Sequence, residues 1–129
     1  MSWSEALLLF LLSHAAGDIL LQTDWQAVTK VAGLGDARGR RALGRHLGTY
    51  MLAFVPALAW VAAESTVLRA VAVGALVAIP HLLIDDGRIV SAWLRSVKHV
   101  PNPALGLRIA VDQTFHGICL LGAALVAAA

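Results

Sequence analysis

Histidine and aspartate recur four residues apart in three apolar segments of this sequence. The pairs are His14 with Asp18, His81 with Asp85, and Asp112 with His116. On an α-helix, residues four apart lie on the same face, so both side chains of a pair can reach one ion. Imidazole together with carboxylate favours zinc, with manganese and iron as alternatives. The spacing therefore predicts a site for a divalent metal ion.

The candidate ligands exceed what one tetrahedral ion uses. With His46 at the start of a further apolar segment, the candidates are His14, Asp18, His46, His81, Asp85, Asp112 and His116. Because tetrahedral zinc takes four ligands, this set favours a dinuclear site. The amides of Gln22 and Gln113 are expected to hydrogen-bond to the ligands and to orient them.

A plainer interpretation is that these pairs only hold helices together. Hydrogen-bonded polar pairs stabilise helix contacts in membranes without any ion, and one such pair alone would fit this explanation equally well. Three pairs and a fourth histidine favour the metal. The other polar residues considered are expected in water, at helix ends or in connections: Asp24, Asp36, Glu64 and His99. Asp86 is expected either to hydrogen-bond to a ligand or to end its helix in water, and the second is favoured.

Four apolar helices would have to position the ligands. Of 129 residues, 59% are hydrophobic and 14% are charged, and the mean hydropathy is +0.75. Soluble domains have roughly 45–50% apolar and 25% charged residues. Since crossing a bilayer takes roughly 20 helical residues, the sequence predicts one all-α domain over residues 1–129. It is a bundle of four transmembrane helices, at about 3–24, 46–63, 67–86 and 104–128.

Two polar connections differ in the structure that they predict. Residues 30–45 are rich in glycine and arginine and predict a loop, alone or with a short helix. Residues 86–103 predict a helix that lies in the membrane interface between the third and fourth membrane helices. The apolar face of that helix would consist of Ile89, Trp93, Leu94 and Val97.

The basic residues predict the orientation of the bundle. Lysine and arginine concentrate in these same two connections, and short loops of this kind stay cytoplasmic. Both termini are therefore expected outside, in a bacterial inner membrane, and all the candidate ligands fall in the cytoplasmic half of the bilayer. Anionic lipid headgroups are sufficient partners for a formal charge of +2, so nucleic-acid binding is not expected.

Several of these motifs together resemble a known bacterial family. They are HAAGDILLQTDWQAVTK near the N-terminus, His46, HLLID in the third helix and DQTFH in the fourth. This ordered set resembles the membrane family called domain of unknown function 3307. That resemblance implies a small polytopic inner-membrane protein and no particular activity. More distantly, the motifs look like those of membrane-bound metal-dependent hydrolases and of zinc-dependent phospholipase C-like proteins, although Met1 stands where the latter have a tryptophan ligand.

Two classes of function follow from a site of this kind. The first is a metal-dependent hydrolase of a phosphoester or phospholipid at the cytoplasmic leaflet, with Asp18 and Asp112 acting on the attacking water and Arg88 stabilising the developing charge. Arg41 and Arg45 are further candidates for binding an anion.

The second class is a non-catalytic metal-binding membrane protein, whose site is structural, belongs to a partner subunit or serves a permease. Apolar outer halves of the helices disfavour a transmembrane conduit. A bundle of this size leaves little room for a selective pocket, so a homodimer or a partner membrane protein is also expected.

Overall fold

The computed structural model describes residues 1–31 and 33–129, and every regular element in this part of the chain is a helix. In chain order these are α1 (Trp3–Ala15), a π-helical segment (Ala16–Leu20), α2 (Asp24–Thr29), a 3₁₀ turn (Gly33–Gly35), α3 (Ala37–Glu64), α4 (Val67–Asp85), α5 (Arg88–Ser96) and α6 (Leu105–Ala128). Four stretches are long and apolar enough to cross a membrane: Trp3–Leu20, α3, α4 and α6. The predictions of an all-α fold and of four membrane helices are confirmed.

The first membrane helix ends earlier than the predicted residue 24. Its last turn is the π-helical segment, which ends at Leu20. A new helix then begins with a capping box, in which Gln26 N–H donates to Thr23 Oγ1 while Thr23 N–H donates to Gln26 Oε1. Two backbone donors are satisfied in this way, so Thr23 separates α2 from the preceding helix.

The second membrane helix begins at Ala37 rather than at the predicted residue 46, because Asp36 caps it. Gly39 N–H donates to Asp36 Oδ1 at 2.8 Å, and arginine is a good helix former. The arginine-rich half of residues 30–45 therefore extends α3 beyond the apolar region, and the prediction of a loop was wrong there. Ala32, in the other half, lies outside the described residues.

The predicted helix between the third and fourth membrane helices is present as α5, and two of its apolar residues pack on the bundle. Val90 and Leu94 are buried in a small cluster with Ile84, against which residues of α6 pack. Ile89 and Trp93, expected on the same apolar face as Leu94, are exposed. The i, i+4 pair of Val90 and Leu94 thus fixes α5 on the bundle.

The two ends of the bundle differ in polarity. Phe10, Phe54, Val73 and Leu120 belong to a continuous apolar core formed by α1, α3, α4 and α6. The N-terminal ammonium lies 3.5 Å from the carboxylate of Glu64 at one end. The His/Asp pairs lie toward the other end, where α1 and α4 finish and where α3 and α6 begin.

Candidate metal centre

Four candidate ligand atoms from three helical elements converge at the polar end. They belong to Asp18 in the π segment, His46 on α3, and His81 and Asp85 on α4. His46 Nε2 lies 3.0 Å from Asp18 Oδ1, 2.9 Å from Asp85 Oδ2 and 3.1 Å from His81 Nε2. His81 Nε2 lies 3.2 Å from Asp85 Oδ2 and 3.9 Å from Asp18 Oδ1. We call this set site A.

The spacing in site A fits a tetrahedral ion better than a hydrogen-bond network. A neutral imidazole nitrogen carries one proton or one lone pair, so His46 Nε2 cannot satisfy three polar neighbours at once. Ligands at about 2.0–2.1 Å from zinc are separated from one another by roughly 3.3 Å in a tetrahedron. The observed separations fall on both sides of that value. These four residues could therefore hold a metal ion.

Asp85 belongs to a second group as well. Site B combines it with Asp112 and His116 of α6. The Oδ2 atom of Asp85 faces site A, and its Oδ1 atom lies 3.6 Å from His116 Nε2. The Asp85 side chain is only 2% exposed. A carboxylate presenting one oxygen to each group is the arrangement that a bridged pair of ions requires.

Two buried imidazole nitrogens lack hydrogen-bond partners among the described residues: His81 Nδ1 and His116 Nε2. His116 Nδ1 lies 3.0 Å from the carbonyl oxygen of Asp112, which fixes this nitrogen as the donor. In a neutral imidazole, His116 Nε2 then carries the lone pair, and it faces Asp85 with nothing to donate to it. Because an unpartnered buried polar atom is costly, this nitrogen is suited to a cation.

His14, also predicted as a ligand, lies beside sites A and B but belongs to neither. Its Nδ1 is 3.0 Å from the Tyr50 hydroxyl and its Nε2 is 3.0 Å from Gln113 Oε1. The Asp18 carboxylate is farther away, at 3.7 Å. Its ring also stacks on that of His116, with the centroids 4.8 Å apart. With both nitrogens in hydrogen-bonding distance of protein groups, His14 supports the ligands rather than joining them.

Tyr50 and Gly17 were not singled out from the sequence, yet they shape the site. The Tyr50 ring stacks on that of His81, with centroids 3.5 Å apart. A Cβ atom at Gly17 would lie 2.6 Å from Tyr50 Cδ2 and 3.2 Å from Tyr50 Cα. Glycine at this position therefore allows the π segment to approach α3 closely enough for Asp18 to reach His46.

The glutamine amides contact the ligands as predicted. Gln22 Nε2 lies 3.2 Å from His46 Nε2. Gln113 Nε2 donates to Asp112 at 3.2 Å and to Asp18 at 3.5 Å, while its oxygen lies near His14. One amide thereby connects the carboxylates of the two groups.

A cavity of about 440 Å³ opens beside both groups. Asp18, Gln22, Asp112 and Gln113 face it on one side, together with the cations Lys30 and Arg108. Lys30 Nζ lies 2.6 Å from Asp85 Oδ2. The sequence had indicated neither cation, because the position of Lys30 depends on how the connection after α2 folds back.

Arg88 was predicted to stabilise the developing charge, but it pairs with Asp86. Asp86 also accepts a hydrogen bond from the Leu34 N–H at 2.8 Å. Burial opposes ionisation of Asp86, but the hydrogen bonds from Arg88 and Leu34 outweigh it and lower the pKa of this carboxyl. Asp86 is 3% exposed, so the prediction of a solvated terminus was wrong. It joins the 3₁₀ turn to the end of α4.

The other predicted arginines also lie away from the groups. Arg41 lines a separate cavity with Trp25 and Arg38, and the Arg45 guanidinium lies 5.8 Å from the centre of the Trp25 ring. His99, expected in water, is exposed.

Comparison with known families agrees with the motifs. A family model described as "Protein of unknown function (DUF3307)" matches residues 6–128. The chain belongs to this family. The matched range includes every residue of sites A and B. No curated protein and no solved structure matches this DUF3307 member.

Proposed function

We propose that this DUF3307 protein is a metal-dependent hydrolase of the bacterial inner membrane, acting on a phosphoester at the cytoplasmic leaflet, with both termini outside. The observation that carries the proposal is the pair of His/Asp groups sharing Asp85 beside an open cavity. A structural ion would be fully enclosed by protein ligands, as the four donors of site A would enclose one, whereas catalysis needs an accessible position. Site B offers three protein donors, and its Asp112 lines the cavity, so site B would leave that position.

The donor set favours zinc, and the shared carboxylate favours two ions. When bound, such ions would supply a water molecule with a pKa lowered to about 7 and would neutralise charge on a phosphoryl group. His46 and His81 would hold one ion with Asp18, and His116 would hold the other with Asp112. The ligands lie on rigid helices, which limits reorganisation of the site.

The chain's own residues divide the remaining tasks. The Asp112 side chain is 26% exposed and lines the cavity, so it is placed to accept a proton from an attacking water. Lys30 and Arg108 line the same cavity and would attract an anionic substrate. The role that the sequence suggested for Arg88 would fall to these two residues, because they line the cavity and Arg88 does not.

The test is elemental analysis of protein purified without chelator, followed by activity assays in nanodiscs. His81→Ala and Asp112→Asn should each lower the metal content, because imidazole and carboxylate supply the binding energy. His99→Ala is the matched control, since His99 is exposed and belongs to neither group. Cleavage of a nitrophenyl phosphate or a phosphodiester should disappear on chelation and return with added zinc.

Each alternative result has a definite meaning. Metal content that stays the same in both His81→Ala and Asp112→Asn would contradict the site. Stoichiometric metal without cleavage of any phosphoester would contradict the hydrolase and support a non-catalytic metal-binding protein.

A further inference from the structure

The cavity beside the candidate metal centre is lined by two chemically different sets of residues, which we call its polar wall and its aliphatic wall. Carboxylates, amides and the cations Lys30 and Arg108 belong to the first, and the aliphatic residues Ile19, Leu105 and Ile109 belong to the second. On α6 the two sets share one face of the helix. A site for a small water-soluble phosphate needs only the first wall, because an apolar surface contributes nothing to binding a hydrated anion. The second wall indicates that the ligand also has an apolar part.

The aliphatic wall faces away from the bundle. Ile19 is 74% exposed, Leu105 73% and Ile109 52%. Ile19 lies in the π segment and the other two lie on α6, within stretches apolar enough to cross a membrane. On such stretches, exposed aliphatic side chains contact lipid chains. The cavity therefore opens sideways, between the π segment and α6, toward the bilayer.

The polar wall lies at the level where lipid headgroups begin. Arg108 is in the first turn of α6, and Asp112 is seven residues from its start at Leu105, which corresponds to about 10 Å along the helix axis. Arg108 Nη1 donates to Ser91 Oγ of α5 at 3.2 Å, so the interfacial helix holds this cation at the mouth. A phosphate between Lys30 and Arg108 would lie beside Asp18 and Asp112.

The size of the cavity limits how much of the ligand enters. Its 440 Å³ is in the range of pockets for small molecules, about 300–1,000 Å³. A phosphate and the adjoining ester groups would fill it, while the chains would remain among the lipids along Ile19 and Ile109.

We infer that the substrate is a membrane lipid with an anionic phosphate headgroup, which enters sideways from the bilayer between the π segment and α6. This inference rests on the proposed function, because it names the substrate class of that site. Complementary charge recognises the headgroup, and the open aliphatic wall accommodates the first part of the chains.

Photolabelling in nanodiscs tests the inference without needing turnover. The probe is a short-chain phosphatidic acid with a diazirine near the carbonyl end of one chain. It should label peptides that contain Ile19 and Ile109. Unlabelled phosphatidic acid should compete at a concentration about tenfold or more below that of glycerol 3-phosphate, because only the lipid has chains to bury.

A matched pair of variants locates the entrance. Ile109→Trp should lower competed labelling about fivefold, because the larger ring fills the mouth. Ile118→Trp is the control, since Ile118 is also exposed on α6 but lies nine residues away, on the opposite face of the helix. Leu105→Trp provides a second variant at the mouth if the first does not fold.

The outcomes separate this inference from the proposed function. Equal competition by glycerol 3-phosphate, or equal loss of labelling in the Ile109→Trp and Ile118→Trp variants, would overturn the lipid substrate even if nitrophenyl phosphate is cleaved. Competed labelling at the mouth without metal-dependent cleavage would contradict the hydrolase and leave a lipid-binding site.

Discussion

Replacing Lys30 by methionine should strengthen metal binding, although it removes a polar contact from the centre. Lys30 Nζ lies 2.6 Å from Asp85 Oδ2, and the two side chains are 13% and 2% exposed. The Lys30 ammonium therefore lies against the Asp85 oxygen that would bind the ion of site A. Two cations near one oxygen repel each other, so the lysine and the metal compete for Asp85.

The expected change in metal affinity follows from the stability that the metal-free and the metal-loaded protein each lose in the variant. Removing one partner of a buried ion pair costs about 3–5 kcal/mol when the other charge is left alone. In metal-free protein Asp85 would keep His46 at 2.9 Å and His81 at 3.2 Å as partners. We therefore take the stability that the metal-free protein loses as about 2 kcal/mol, below that range. Metal-loaded protein would lose little, because the ion compensates Asp85. The difference corresponds to roughly 30-fold tighter metal binding.

The assay is competition for zinc between the protein in nanodiscs and a chelator of known affinity. Lys98→Met is the control, because Lys98 is exposed and distant in sequence from the groups. Turnover should change in the opposite direction and fall in the Lys30→Met variant, since Lys30 lines the substrate cavity. Unchanged or weaker zinc affinity in this variant would refute the competition between ammonium and metal.

Three further results are expected. Gly17→Ala should destabilise the protein by about 1–3 kcal/mol in a denaturant titration, because its methyl group would collide with Tyr50, whereas Gly48→Ala, with open space around it, should not. Asp86→Asn should lower the stability of the protein at neutral pH and lower it less at acidic pH. The pKa of Asp86 is depressed in the folded protein, so its contribution to stability is present above the unfolded pKa of about 3.9 and is lost as the pH falls through the folded pKa. An equal loss of stability at every pH would contradict this. Alkaline phosphatase fused to the C-terminus should be active and a fusion in the connection before α3 inactive, and the reverse pattern would move the site to the outer leaflet.

The spacing of the His/Asp pairs could be interpreted from sequence because the geometry within each pair is local. His81 and Asp85 are four residues apart on one regular helix, and so are Asp112 and His116. Helical periodicity places the members of each pair on one face whatever the rest of the fold does. Sequence also indicated the number of membrane helices, since length and hydropathy are local properties too.

The cations and the supporting residues depended on tertiary contacts and could not be predicted in this way. Lys30 reaches Asp85 across fifty-five positions of sequence, after a connection that folds back onto α4. Tyr50 resembled an ordinary core aromatic and gave no signal of its role. Asp86 seemed to end a helix in water, but Leu34 and Arg88 fold over it. In each case the contact depends on how distant parts of the chain fold onto one another, which the local sequence pattern does not determine.

The π-helical segment also restricts how the sequence can vary in length. Leu21 N–H donates to the Ala16 carbonyl oxygen at 3.0 Å, five residues back, so this turn holds one residue more than an α turn. Deleting Ile19 or Leu20 would convert this turn to an α turn and leave the two sides in nearly the same relative orientation, because the extra residue is the one removed. A second deletion has no extra residue to absorb it and would rotate the two sides by about 100° relative to each other. Asp18 could then not face His46 while Phe10 stays in the core, so relatives should tolerate the loss of one residue from this segment and not of two.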